Sequence, residues 1–203
     1  MNKLRIGVID IDDYSLFFSL LCSNSNFDVI VYDSDTSKIN NIKQGFYLTE
    51  KTLINKLLFE GNKISTTSEI NSFIENSDLI FSFSNNEKNL FVYITEIVSY
   101  FYKAIDNDIS VFGKSLIIGQ TTDIGKSFMF EEKLSQIGVN FANINTIDLF
   151  DDKNEESIIV GTKSEIVFTN IIEIFNRILN KDANYFSMSS QSVEISKILS
   201  KSY

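Results

Sequence analysis

The residues with the most chemistry to offer stand at one junction. Gly7-Val8-Ile9-Asp10-Ile11-Asp12-Asp13-Tyr14-Ser15 follows an apolar run from Leu4 to Ile9 and opens an apolar segment containing Leu16, Phe17, Leu20 and Leu21. A strand-to-helix turn binds a diphosphate when it reads G-x-G-x-x-G. The first glycine makes the tight turn, the second lets the backbone approach the phosphates, and the third lets helix and strand pack closely. Here those positions hold Asp10, Asp12 and Ser15. Carboxylates stand where a double anion would lie, and like charges ~4 Å apart repel by about 1 kcal/mol even in water. Asp10, Asp12 and Asp13 also invite a reading as oxygen ligands for Mg²⁺ or Ca²⁺, but they lack the ligand spacing of an EF-hand loop. We therefore expect Asp12 or Asp13 to N-cap the following helix, where a carboxylate suits the helix dipole, and we assign no metal ligands.

Other candidates are fewer. Asp33 closes a second apolar run, about 20 residues past the junction, where an acid in a dinucleotide-binding unit bonds the adenosine ribose. Without the glycines, the reading we favour is that Asp33 shapes the strand-end turn, as Asp commonly does. Thr121 and Thr122 precede a helix expected to start near Ile124, and their hydroxyls suit its cap. Tyr100 and Tyr102 suit either an interface or a core with wet hydroxyls. The chain has no histidine, which excludes Ser-His-Asp and Cys-His catalysis and His-based zinc sites. Its one cysteine, Cys22, cannot form an internal disulfide, so a reducing cytoplasm is the expected compartment. A net charge of −9 without a basic run argues against nucleic acid, and no apolar run approaches the ~18 residues needed to span a bilayer.

The elements that must position these residues alternate. Strands are expected at Leu4–Ile9, Asp28–Tyr32, Leu79–Phe83, Ser115–Ile118, Val139–Ala142 and Ser157–Gly161, each rich in Val, Ile or Phe and bounded by turn residues. Helices are expected at Tyr14–Ser23, Ser37–Lys43, Glu50–Phe59, Ser68–Glu75, Leu90–Ile105, Lys126–Gln136, Ile166–Leu179 and Gln191–Lys201. Leu90, Ile94, Ile97, Val98 and Phe101 recur at helical spacing on one face. The stretch Asp148–Glu156 reads as an exposed acidic loop. Apolar strands alternating with helices specify a mainly parallel, doubly wound α/β sheet covered on both faces. The 203-residue chain, 43% apolar, suits a single domain of this Rossmann-like kind over residues 1–186, followed by a C-terminal helix over 187–203.

Several segments, in order, resemble the N-terminal NAD-binding domain of the UDP-glucose/GDP-mannose dehydrogenase family. Lys3-Leu4-Arg5-Ile6-Gly7-Val8-Ile9 is similar to its opening strand. Tyr32-Asp33-Ser34-Asp35 with Lys38 and Ile39 resembles the end of its second strand, and Ile42-Lys43-Gln44-Gly45 the turn that follows. Ile64-Ser65-Thr66-Thr67-Ser68, Asn76-Ser77-Asp78-Leu79-Ile80-Phe81, Glu132-Lys133-Leu134-Ser135-Gln136-Ile137-Gly138 and Val160-Gly161-Thr162-Lys163-Ser164-Glu165 fit later pieces. The resemblance lies in their collinearity over nearly the whole chain.

That family oxidises a nucleotide-sugar alcohol to a carboxylate in two NAD-dependent steps. Carried over position by position, the resemblance implies mostly loss. The glycine loop is Asp10, Asp12 and Ser15; the proline-containing turn after the fourth strand is Ser84-Asn85-Asn86; the turn after the fifth is Gln120-Thr121-Thr122-Asp123-Ile124-Gly125. The N-P-E segment falls near Asn145-Thr146, with no matching carboxylate. The family's catalytic Lys and Asn, its nucleophilic Cys and its sugar-nucleotide domain are expected beyond Tyr203. What remains of a cofactor site is Asp33 and Thr121, both vestigial, and no catalytic residue is assigned. The expected role is a non-catalytic binding or assembly module that needs no cofactor. Its partner would be an unidentified protein or a second copy held through the C-terminal helix. The alternative is a divergent NAD-dependent dehydrogenase subunit whose site is completed by a second chain.

Overall fold

In a computed structural model, residues 4–47, 49–59, 64–83, 90–119, 125–145, 157–179 and 183–200 are described. The strands are β1 (Arg5–Ile9), β2 (Asp28–Tyr32), β3 (Ser65–Thr67), β4 (Leu79–Ser82), β5 (Ser115–Ile118), β6 (Asn140–Ile144), β7 (Ser157–Thr162) and β8 (Asn184–Met188). The helices are α1 (Asp13–Asn24), α2 (Thr36–Lys43), α3 (Thr52–Phe59), α4 (Ile70–Glu75), α5 (Leu90–Asp106), α6 (Lys126–Ser135), α7 (Glu165–Leu179) and α8 (Ser190–Ser200). The strands form one eight-stranded sheet in the order β3-β2-β1-β4-β5-β6-β7-β8. All pairs are parallel except β6–β7. The order reverses between β1 and β4, which places the switch point at their carboxyl ends.

Period-2 alternation divides the strand side chains between two cores. Ile6, Val8, Val31, Phe81 and Ile117 face α1, α2, α3 and α7, while Ile9, Ile80, Leu116, Ile118 and Phe141 face α4, α5 and α6. Of the helical face expected on α5, Ile97, Val98 and Phe101 are buried; the side chains of Leu90 and Ile94 lie outside the described residues. Gly7 is required by close approach, since a Cβ there would collide with Ser77 and with the Phe73 ring at 2.8 Å.

Two strands were not expected. β3 is three polar residues, too short for alternation to register, and β8 is a partly exposed edge of mixed character. β8 spans residue 186 and pairs with β7, so sheet structure continues to Met188. β7 runs antiparallel to β6. A parallel return needs a crossover of a dozen or more residues, usually helical, and Asn145–Glu156 carries no helical apolar period. The acidic stretch Asp148–Glu156 lies outside the described residues.

Candidate functional site

At the β1–α1 junction the backbone turns through a left-handed residue. Asp10 has φ 69°, in the left-handed region that Asp tolerates better than most residues. Its N–H donates to the Tyr32 carbonyl at 2.8 Å, tying the turn to the end of β2. Asp12 is the N-cap of α1, and its carboxylate accepts the Ser15 N–H at 2.7 Å. This is the capping geometry expected from the sequence. The consequence is that a carboxylate of the chain itself occupies a helix N-terminus, a place otherwise suited to a ligand anion. Burial raises the pKa of Asp12, while the Ser15 and Tyr14 amides and Lys38 oppose that rise. Ser15, at the third glycine position, is wholly buried.

Asp33 lies where the sequence placed it, at the carboxyl end of β2, and it is 4% exposed. One oxygen accepts the Ile11 N–H at 2.9 Å and the Lys38 ammonium at 3.0 Å; the other accepts the Asp35 N–H at 2.8 Å. Lys38 also donates to the Ile11 carbonyl at 3.1 Å. The carboxylate therefore closes the β1–α1 turn onto the β2–α2 turn. Tyr47 lies close by, and burial together with the Asp13 carboxylate pushes its phenol well above the usual range.

Aromatic rings cluster near the switch point. Tyr14 and Phe83 stand with ring centroids 4.9 Å apart, and Phe18 lies 4.9 Å from Phe83. Phe83 is buried and lies so close to Gly119, after β5, that a Cβ there would collide with its ring. Phe81, stacked on Phe83 at 5.8 Å, joins the cluster to the core.

Further along the same edge lies a second, polar constellation that the sequence reading missed. Gly125, at φ 85°, precedes α6, and its N–H donates to Glu194 at 2.9 Å; the Ser127 N–H donates to the other oxygen of the same carboxylate. Glu194 is wholly buried and comes from α8. One turn on, the Lys197 ammonium donates to Asn143 Oδ1 at 2.6 Å and to the Gly119 carbonyl at 3.3 Å. Asn143 in turn donates to Ser127 Oγ at 2.9 Å. Ser190 donates to Glu131 at 3.0 Å, and Lys163 pairs with Glu131 at 3.2 Å. The available signal was Glu194 and Lys197, set among the apolar Val193, Ile195, Ile198 and Leu199 of α8, and Asn143 within an apolar strand. These are polar residues at core positions, which persist only when bonded.

Of the other sequence candidates, Thr121 and Thr122 lie outside the described residues, as do Gln120, Asp123, Ile124 and Ser84–Asn86. Asn145 braces β7, donating to the Ser157 carbonyl at 3.0 Å and accepting from Ile159 N–H; Thr146 lies outside the described residues. Cys22 is fully buried, and burial pushes its thiol pKa well up, away from reactivity. Tyr100 donates to Glu96 at 2.7 Å and meets Tyr32 edge-on, while Tyr102 reaches the Lys133 carbonyl at 3.4 Å. Among the described residues no group of three or more His, Cys, Asp or Glu is arranged to hold a metal ion. None of the described helices is long and apolar enough to cross a membrane.

Fold and edge together define a Rossmann-like α/β domain. No family model matches the chain, and no curated protein matches it. Solved structures do. It is similar to a GDP-mannose dehydrogenase from Pseudomonas aeruginosa (TM-score 0.80, 16% identity, 98% of this chain and 49% of that one). It is similar also to a UDP-glucose dehydrogenase from Pyrobaculum islandicum (0.79, 12%, 98% and 49%). A third is a UDP-D-ManNAc dehydrogenase from Pyrococcus horikoshii (0.78, 17%, 97% and 50%). At these identities the shared property is the fold, and the chain spans about half the length of each structure it matches.

Proposed function

We propose that this chain is a non-catalytic Rossmann-like module, derived from the coenzyme-binding half of a nucleotide-sugar dehydrogenase and acting in binding or assembly. One observation carries the reading: the groups a dinucleotide would use are bonded to one another. The Ile11 N–H and the Asp33 carboxylate form a 2.9 Å hydrogen bond, Lys38 closes over both, and Asp12 caps the α1 N-terminus. A diphosphate approaching this turn meets carboxylates, and beside it the rings of Tyr14 and Phe83 pack against each other. Restoring glycines alone, as Asp10→Gly, Asp12→Gly and Ser15→Gly together, leaves Asp33 engaged and the rings in place, so it does not create coenzyme binding.

Calorimetry with NAD, NADH, UDP-glucose and GDP-mannose tests the reading. The expected outcome is no affinity tighter than about 1 mM, or −4 kcal/mol. Micromolar binding of NAD accompanied by oxidation of a nucleotide sugar would overturn it.

A second reading, a dehydrogenase subunit completed by another chain, is favoured by one observation. Lys197 holds a buried ammonium against Asn143 and Gly119 at the carboxyl ends of β5 and β6, where this fold places its chemistry. It requires NAD turnover to appear when a chain resembling the remaining half of the dehydrogenases is added. Absence of turnover in that mixture removes it.

A further inference from the structure

The β1–α1 junction lies at the carboxyl ends of the strands. A separate cavity of about 450 Å³ opens at the amino ends of β1, β4 and β5. Arg5, Glu75, Asp78, Asp108, Phe112 and Lys114 line it. Helices that cross a parallel sheet run against its strands, so their carbonyl ends gather on this side. α4 ends here at Glu75, and α5 ends at Asp106, two residues before Asp108; such ends favour positive charge. The chain's own cations follow that preference, and both are committed. Arg5 pairs with Asp78 through Nη2 at 2.6 Å and Nε at 3.1 Å. The Lys114 ammonium donates to the Ser77 carbonyl at 2.7 Å and to the Glu75 carbonyl at 3.4 Å, closing the end of α4. Among the described lining residues, then, two cations stand against three carboxylates. Glu75 and Asp108 are exposed, and Phe112 is 83% exposed. The Phe112 ring rests against Gly138, where a Cβ would collide with it, so the ring is held beside the cavity.

We propose that this cavity binds an organic cation, a guanidinium or ammonium group on an aliphatic stem. Asp108 and Glu75 supply the countercharge and Phe112 an open ring face. Aromatic faces attract such cations, and the stem gains apolar contact with the same ring. An anion fits less well. It must draw Arg5 from Asp78, or Lys114 from two carbonyls, and then sit among acids. A bare metal ion fits no better, because among the described residues no three carboxylates are arranged to hold one. A free amine and a basic side chain of another protein share this chemistry. The cavity lies away from the β1–α1 junction, so the proposal does not rest on the function proposed above.

The test is an NMR titration of the full chain with n-butylguanidinium, using n-butylurea as its uncharged counterpart. Saturable binding of butylguanidinium is expected, with a Kd on the order of 1 mM and amide shifts centred on Asp108, Gly113 and Lys114. Butylurea should bind at least roughly tenfold more weakly. Asp108 has φ 59°, a conformation that Asn accepts equally well, so Asp108→Asn keeps the turn and removes only the charge. It should weaken binding about fivefold, and Phe112→Ala about threefold. Glu50→Gln removes the same charge from an exposed site outside the cavity and should change nothing. The capped tripeptide acetyl-Gly-Arg-Gly-amide separates the two sources. Tighter binding than butylguanidinium assigns the site to a protein side chain, and weaker binding assigns it to a free amine. Shifts scattered over the surface without saturation, equal affinity for butylurea, or equal weakening by Glu50→Gln and Asp108→Asn would each overturn the proposal.

Discussion

Two stretches of one sheet edge have been closed by different chemistry. At the carboxyl ends of β1, β2 and β4, closure is aromatic and anionic: Tyr14 and Phe83 pack together, and Asp12 and Asp33 take the turn's amides. At the ends of β5 and β6, closure is a buried polar lattice in which Glu194, Lys197, Asn143 and Ser127 satisfy one another. The first combines ring packing with carboxylates that accept backbone amides. The second is held by hydrogen bonds out of water, where losing one partner strands the other. In both, a helix N-terminus that would suit a ligand anion holds a carboxylate of the chain, Asp12 on α1 and Glu194 on α6.

The contrast is sharpest in what breaks each half. Phe83→Ala should produce the largest loss, about 3–5 kcal/mol for removing a buried ring, read from urea unfolding at constant m-value. A loss below ~1 kcal/mol would mean that the ring is not part of the packed core. Glu194→Gln is expected to cost about 2–3 kcal/mol, because one of the two N–H donors, at Gly125 or at buried Ser127, loses its charged acceptor. Hydrogen exchange should then rise at Gly125, Ser127 and along α8, leaving β1 and β4 protected. Uniform exchange across the sheet would show that the two halves are not separable.

The smallest effect is expected at Asp12. Its folded pKa is raised, so the proton-bound form is the one folding favours. That contribution is complete below the unfolded pKa near 3.8 and is lost as pH rises through the folded value. Asp12→Asn keeps a good cap without the charge. It should match the wild type at low pH and become more stable by under ~1 kcal/mol once pH has risen past the folded value. If the variant loses ground as pH rises, the carboxylate is a favourable anion at α1 and its burial has been misread.

Legibility in the sequence followed the strength of local pattern. Six strand runs and the long helices stood out because apolar period alone specifies them. β3 and β8 did not, since three polar residues and a partly exposed edge carry no period. Asp12 was readable as a cap because its partner lies three residues away. Asp33 was readable as a strand-end acid, but its bond to Ile11 spans 22 residues and needs β1 beside β2. The Glu194 and Lys197 lattice was invisible for the same reason at greater range, since its partners lie 54–78 residues back along the chain.

From the amino-acid order alone came the class of fold, the carboxylates at the β1–α1 turn and the cap of the first helix, because each rests on spacings shorter than a few turns of backbone. Only tertiary structure decided which groups those carboxylates bond. Which side chain finds which amide across a sheet depends on strand order, and strand order is set by how all the apolar faces pack at once.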